Sequence, residues 1–131
     1  MQDLKVTAVQ SAIHWHDAGK NWAMFDQALS SVDTDLVVLP EMFNVGFTQH
    51  PDKAAETMDG PTVAWVKKLS ARLDAAVTGS FAVRDKGQYF NRMLFVTPDG
   101  NVDWYDKRHL FRMAGEHLRY GEGPPRKQLS R

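Results

Sequence analysis

The sequence is 131 residues long, and its 43% hydrophobic and 24% charged content is ordinary for one globular domain. Sixteen basic residues balance sixteen acidic ones without a long basic run, so neither nucleic acid nor an anionic membrane is expected as a partner. The amino terminus lacks a signal-peptide pattern, and no apolar stretch approaches the roughly 18 residues of a membrane span, which predicts a cytoplasmic location. The sequence contains no cysteine, which excludes disulfides and thiolate metal sites. No metal or cofactor is expected.

The first part of the chain predicts a strand, a helix and a second strand. Residues 4–10 alternate between apolar and polar side chains, as a strand does. Apolar residues then recur at the three-to-four spacing of an amphipathic helix: Trp22, Phe25, Leu29 and Val32. Residues 35–39 contain a short unbroken apolar run that Pro40 ends, which predicts a strand buried on both faces. This order is typical of the α/β class.

The second part predicts another helix followed by antiparallel strands. Pro61 suits the first turn of a helix whose apolar side is Val63, Val66, Leu69 and Leu73. Strands are predicted at residues 75–83, 89–96 and 102–106, because turn residues separate these runs. Residues 1–123 show no linker and predict a single domain. Residues 124–131 contain a double proline and one apolar side chain, and predict an irregular tail.

Two charged residues directly follow predicted strands. Glu41 comes one residue after the proline that ends the most apolar strand, and Lys107 comes directly after residues 102–106. Functional groups of α/β sheets gather beyond the carboxyl ends of the strands. A carboxylate that is partly desolvated there and has an ammonium nearby can act as a base near neutral pH. The alternative is that Glu41 and Lys107 are unrelated surface residues.

Several segments resemble the carbon-nitrogen hydrolases of the nitrilase superfamily. The segment LPEMFNVGF at residues 39–47 resembles the glutamate segment of that superfamily, and YDKRHLFRMAGEH at residues 105–117 resembles its lysine segment. With KVTAVQ at residues 5–10 and YFNR at residues 89–92, the similarity runs in order from residue 4 to about residue 123. The wording of the two catalytic segments most resembles the bacterial omega-amidase branch, whose members hydrolyse ω-amides of α-keto acids such as 2-oxoglutaramate.

The resemblance implies a fold and a mechanism. The fold is a four-layer α-β-β-α sandwich, of which this chain is the amino-terminal half. In the family a cysteine attacks the amide carbon, the glutamate matching Glu41 removes the thiol proton, and the lysine matching Lys107 stabilises the oxyanion. Glu116 matches a second glutamate that positions the substrate and the lysine; the alternative is an ordinary loop carboxylate. We expect the Glu41 and Lys107 side chains to converge within about 3 to 4 Å.

Three phenylalanines beside the catalytic segments are candidates for the walls of a substrate pocket. They are Phe43, Phe47 and Phe111. The implied partner is a small-molecule amide, and the full-length form is expected to be a homo-oligomer. No cofactor is implied.

The nucleophile of the family has no counterpart in this sequence. Family members are about twice as long, and their cysteine follows the lysine loop on a strand and elbow turn. We therefore expect residues 1–123 to be the amino-terminal part of one carbon-nitrogen hydrolase domain, truncated before the nucleophile and inactive alone. Two alternatives stay open, namely a catalytically dead binding or assembly module and a truncated gene product without function.

Overall fold

The computed structural model describes residues 3–124, which form a five-stranded sheet with helices. The strands are β1 (Val6–Ala8), β2 (Leu36–Val38), β3 (Ala76–Asp85), β4 (Gln88–Val96) and β5 (Val102–Asp106). The helices are α1 (Ala18–Ala28), α2 (Pro51–Ala54), α3 (Pro61–Leu73) and α4 (Glu116–Arg119), with a 3-10 turn at Arg112–Ala114. The α/β class is confirmed. No helix within the described residues is both long and apolar enough to cross a membrane.

The sheet keeps the order of the sequence, β1-β2-β3-β4-β5. The first three strands are parallel, and the last three are antiparallel. Helix α1 connects β1 to β2, and helices α2 and α3 lie between β2 and β3. Because β4 reverses the direction once and β5 reverses it again, β2, β3 and β5 all point the same way. Their carboxyl ends therefore lie at the same edge of the sheet.

The core lies between α1, α3 and one face of the sheet. Its fully buried members include Phe25, Val37, Val66, Leu69, Val77, Phe81 and Leu94. The helix α1 predicted from its apolar spacing is confirmed, as is α3, which begins at the expected proline. Strands β3, β4 and β5 also confirm the predicted strands to within two residues. Periodicity was sufficient here because each of these elements buries one continuous apolar side.

Strand β2 differs from the prediction that both of its faces are buried. Val37 is completely buried against the helices, whereas Leu36 and Val38 are only half-buried. Alternate residues of a strand point to opposite faces, so the second pair lies on the face that the helices leave open. A run of four apolar residues could not distinguish one covered face from two.

The open face of the sheet exposes apolar side chains, which leads to a prediction about association. Val6 is 52% exposed and Met93 is 51% exposed on this face. Large exposed apolar patches are rare in monomers. We therefore expect the isolated 131-residue chain to self-associate or to bind the dye ANS strongly. Size-exclusion chromatography and dye fluorescence measure this, and Val6→Thr with Met93→Gln should weaken both signals. A cooperative monomer that binds no dye would contradict the prediction.

The predicted tail falls almost entirely beyond the part of the chain that the structure describes. Residues 125–131 lie outside the described residues. The described chain continues to Pro124, and the Gly123 amide donates a hydrogen bond to the Lys107 carbonyl oxygen at 3.0 Å. The end of the described chain is thus attached to the residue that follows β5.

Candidate active site

Glu41 lies on a turn that β3 holds in place. Pro40 ends the β2 ladder, and Met42 adopts a positive φ of 55° immediately after the glutamate. The Met42 amide donates to Ser80 Oγ at 3.0 Å, and the Phe43 amide donates to the Ser80 carbonyl oxygen at 3.1 Å. A positive φ at a residue other than glycine is uncommon and needs such support. The turn places the Glu41 carboxylate at the carboxyl edge of the sheet.

Lys107 reaches the same place from β5. Its amide donates to the Asn91 carbonyl oxygen at 2.8 Å, which extends the pairing between β4 and β5 by one bond. Its Nζ lies 3.0 Å from Glu41 Oε2 and 3.1 Å from Glu116 Oε1. The expected convergence of Glu41 and Lys107 is therefore present. The two residues are 66 positions apart in sequence, and the shared direction of β2 and β5 brings them together.

Glu116 is a buried carboxylate rather than a solvated one. Its side chain has no exposed surface. The Phe111 amide donates to its Oε1 at 2.6 Å, and Gly115, with a φ of 74°, supplies the sharp turn before α4. Burying a carboxylate without partners is very unfavourable, and here an ammonium and backbone and amide donors satisfy it. The contact of Glu116 with Lys107 agrees with a role in positioning the lysine.

The sequence analysis assigned no role to Asn91, which joins the two carboxylates. Its Nδ2 donates to Glu41 Oε2 at 2.6 Å and contacts Glu116 Oε2 at 3.4 Å. The side chain is almost completely buried. A signal existed in the sequence, because residue 91 is an amide within a strand whose same-face neighbours Tyr89, Met93 and Phe95 are large and largely apolar. Its partners, however, come from β2, β5 and α4, and only the fold brings them together.

The electrostatics of the cluster favour a charged lysine. Burial lowers the pKa of Lys107, but hydrogen bonds and charges from Glu41 and Glu116 raise that pKa by more, so it lies above the ordinary lysine value. Both donors to Glu41, the amide and the ammonium, bind Oε2. Within residues 3–124, Glu41 Oε1 has no hydrogen-bond partner, and the side chain is 47% exposed. This oxygen is available to accept a proton.

A concave site of about 440 Å³ adjoins the cluster on the open face. Its lining includes Glu41, Asn91, Lys107, Arg108 and His109. The remaining lining residues are Val38, Leu39, Thr78, Gly79, Ser80, Met93 and Tyr105. The site thus combines a mostly apolar wall with a charged end, as small-molecule sites usually do. The described residues contain no group of three histidine or acidic side chains that could bind a metal.

The three phenylalanines expected to form pocket walls are absent from this lining. Phe43 lies in the core on the helix-covered face, with ring centroids 5.8 Å from Trp65 and 6.3 Å from Phe25. Phe111 is 54% exposed and contributes its backbone amide to Glu116. Phe47 does approach the cluster, since Lys107 Nζ lies 5.4 Å from its ring centroid, within cation-π range. Proximity in sequence to Glu41 did not determine which face each ring occupies.

Comparisons with known proteins match the whole length of the chain. The carbon-nitrogen hydrolase family model matches residues 5–128. The chain is 44% identical over 130 residues to an omega-amidase YafV from Yersinia enterocolitica, covering 97% of this chain and 50% of the relative. It is 39% identical over 127 residues to omega-amidase YafV of Escherichia coli K12, covering 96% and 49%.

A solved structure shows the same fold. The protein XC1258 from Xanthomonas campestris, described as a CN-hydrolase superfamily protein, aligns with a TM-score of 0.94 and 47% identity over 99% of this chain and 50% of that one. The chain therefore spans about half the length of the relatives it matches, and corresponds to the amino-terminal half of their nitrilase-type α/β fold. The chain belongs to the carbon-nitrogen hydrolase family of the nitrilase superfamily.

Proposed function

We propose that this chain supplies the base and the oxyanion-binding lysine of an omega-amidase. The observation that carries the proposal is the position of Lys107 Nζ, 3.0 Å from Glu41 and 3.1 Å from Glu116, at the charged end of a concave site. The similarity to omega-amidases over nearly the whole chain supports the choice of reaction.

Each of the three groups has a step in amide hydrolysis. Glu41 Oε1 removes the proton of a cysteine thiol, and the resulting thiolate attacks the amide carbon. Lys107 donates a hydrogen bond to the developing oxyanion. The tetrahedral intermediate collapses to a thioester as ammonia leaves with the proton that Glu41 returns. Glu41 then takes a proton from water, and the hydroxide formed releases the acid and the thiol.

The thiol of this scheme is absent from the 131 residues, which contain no cysteine. The chain matches only about half of its relatives, and we propose that the nucleophile belongs to the half without a counterpart here. That half would contact the open face of the sheet, where the concave site lies.

The proposed substrate is the ω-amide of a small α-keto acid, such as 2-oxoglutaramate. Such a molecule carries an amide at one end and a carboxylate at the other. Arg108 lines the concave site next to Lys107 and offers a cation for that carboxylate. The apolar lining from Val38, Leu39 and Met93 suits the short methylene chain between the two ends.

The test joins this chain to the carboxyl-terminal half of the Yersinia omega-amidase. We expect the chain alone to release no ammonia from 2-oxoglutaramate, because it lacks a nucleophile. The joined protein should release ammonia, and it should prefer 2-oxoglutaramate to butyramide, which has no carboxylate. Replacing the cysteine of the added half by alanine is the matched control and should abolish activity.

Two results would contradict the proposal. A folded joined protein that hydrolyses neither amide would show that Glu41 and Lys107 do not form a working site. That joined protein would favour the catalytically dead binding module if it bound 2-oxoglutaramate without turnover. Ammonia release by the chain alone, lost on Glu41→Gln, would show a mechanism without a thioester.

A further inference from the structure

Asn91 is the one neutral side chain that touches both carboxylates of the cluster within the described residues. We propose that Asn91 is a positioning residue, which holds the Glu41 carboxylate against Lys107 and turns Glu41 Oε1 toward the reacting thiol. The catalytic part of this inference rests on the function proposed above. The structural part, the placement of Glu41 by Asn91, can be tested without any hydrolysis.

The amide group of Asn91 has the right number of hydrogens for the task. Nδ2 carries two, and the structure places two carboxylate oxygens around it, Glu41 Oε2 at 2.6 Å and Glu116 Oε2 at 3.4 Å. Lys107 also donates to Glu41 Oε2. With both donors on one oxygen, the carboxylate cannot rotate without losing them, and Oε1 remains directed away.

The backbone of the same residue positions the lysine. The Asn91 carbonyl oxygen accepts from the Lys107 amide at 2.8 Å. Asn91 itself pairs with Ala82 in the ladder between β3 and β4, which runs over nine residue pairs. Asn91 therefore connects the glutamate and the lysine to the most extensively paired part of the sheet. The relative position of these two groups then depends on a single rigid residue.

A neutral donor suits this position better than the other polar side chains. A carboxylate at residue 91 would repel Glu41 and Glu116 at hydrogen-bond distance, and a second cation would compete with Lys107 for both. An apolar residue of the same size would fill the space without holding Glu41. Because Glu41 is 47% exposed, it would then move toward water.

The departure of Glu41 has a consequence that can be measured at Lys107. Glu41 is one of the two carboxylates that raise the pKa of Lys107. Losing it lowers that pKa and increases the fraction of free amine at a given pH. A free amine reacts with acetic anhydride, whereas an ammonium does not, so the labelling rate of Lys107 reports the position of Glu41.

The experiment is competitive labelling of the 131-residue chain with acetic anhydride at pH 9, read by peptide mass spectrometry. The exposed Lys67 of α3 is the internal reference. We expect Asn91→Leu to increase the labelling of Lys107 relative to Lys67 about three-fold, in the direction that Glu41→Gln calibrates. Asn21→Ala is the control, because Asn21 is an equally buried amide on α1, bonded to the carbonyl oxygens of His14 and Asn44. It should lower the melting temperature and leave Lys107 labelling unchanged.

Asn91→Asp gives a second reading of opposite sign. A third carboxylate beside the ammonium should slow the labelling of Lys107 below that of the original chain. An unfolded variant cannot imitate this, because in an unfolded chain Lys107 would label as Lys67 does. Circular dichroism verifies folding in each case.

Three outcomes would overturn the proposal. They are unchanged labelling of Lys107 in a folded Asn91→Leu chain, labelling that Asn91→Asp fails to slow, and unfolding of both variants while Asn21→Ala stays folded. The last would assign Asn91 a structural role only. None of these results concerns ammonia release, so an inactive joined protein and a failed labelling test remain distinguishable.

Discussion

Replacing Lys107 by alanine in the joined protein is expected to lower kcat/KM on 2-oxoglutaramate by about 10³-fold. Removing one donor from an oxyanion site typically costs about 10² to 10³ in rate, and Lys107 also holds Glu41 in place through its 3.0 Å contact. The measurement is ammonia release at saturating and limiting substrate, which separates kcat from KM. Most of the loss should appear in kcat, because the oxyanion exists only in the transition state.

The matched control for this variant is Lys53→Ala. Lys53 is an exposed lysine of α2, and its removal should leave both kinetic constants unchanged. Because Lys107→Ala also leaves the buried Glu116 carboxylate without its cation, the melting temperature must be measured alongside activity. A folded Lys107→Ala enzyme that keeps near-normal kcat would contradict the assigned role.

The raised pKa of Lys107 fixes the direction of its pH dependence. The folded protein binds this proton more tightly than the unfolded chain does, because Glu41 and Glu116 together outweigh burial. The stability that this ion cluster contributes is therefore complete below the ordinary lysine pKa, and it is lost as pH rises through the higher value of the folded state. The ammonium needed for oxyanion binding stays charged throughout the neutral range.

Replacing Arg92 by methionine is expected to destabilise the chain by about 3 to 5 kcal/mol. Arg92 is almost completely buried, and its guanidinium forms two hydrogen bonds with Asp106, at 2.6 and 2.9 Å. Methionine would fill part of the space but leave the buried Asp106 carboxylate without its cation. Urea unfolding followed by tryptophan fluorescence measures the loss, at concentrations where the chain does not associate.

An exposed ion pair of the same type provides the control. Arg72 contacts Asp26 at 3.2 Å with nearly half of each side chain exposed, so Arg72→Met should change stability by less than about 1 kcal/mol. The double variant Arg92→Met with Asp106→Leu should recover much of the stability lost in the single one, because no unpaired charge remains. Equal losses for Arg92→Met and Arg72→Met would show that burial does not decide the strength of these pairs.

The sequence by itself determined the elements of the fold and the two principal residues of the site. Helices α1 and α3 each bury one apolar stripe, and strands β3, β4 and β5 are separated by turn residues, so local patterns contain enough information to predict them. Glu41 and Lys107 were identifiable because each directly follows a strand, within segments that resemble one family. Their meeting follows from strand direction, which the α/β order already implies.

Only the tertiary structure decided which side chains surround that pair. Phe43 lies two residues from Glu41 but points into the core, because the turn held by Ser80 directs the two side chains to opposite faces of the sheet. Glu116 could not be distinguished from a solvated carboxylate until its contacts with Lys107 and the Phe111 amide were visible. Asn91 contacts groups 50 and 25 positions away, and no local pattern encodes contacts between residues that the sheet alone brings within hydrogen-bond distance.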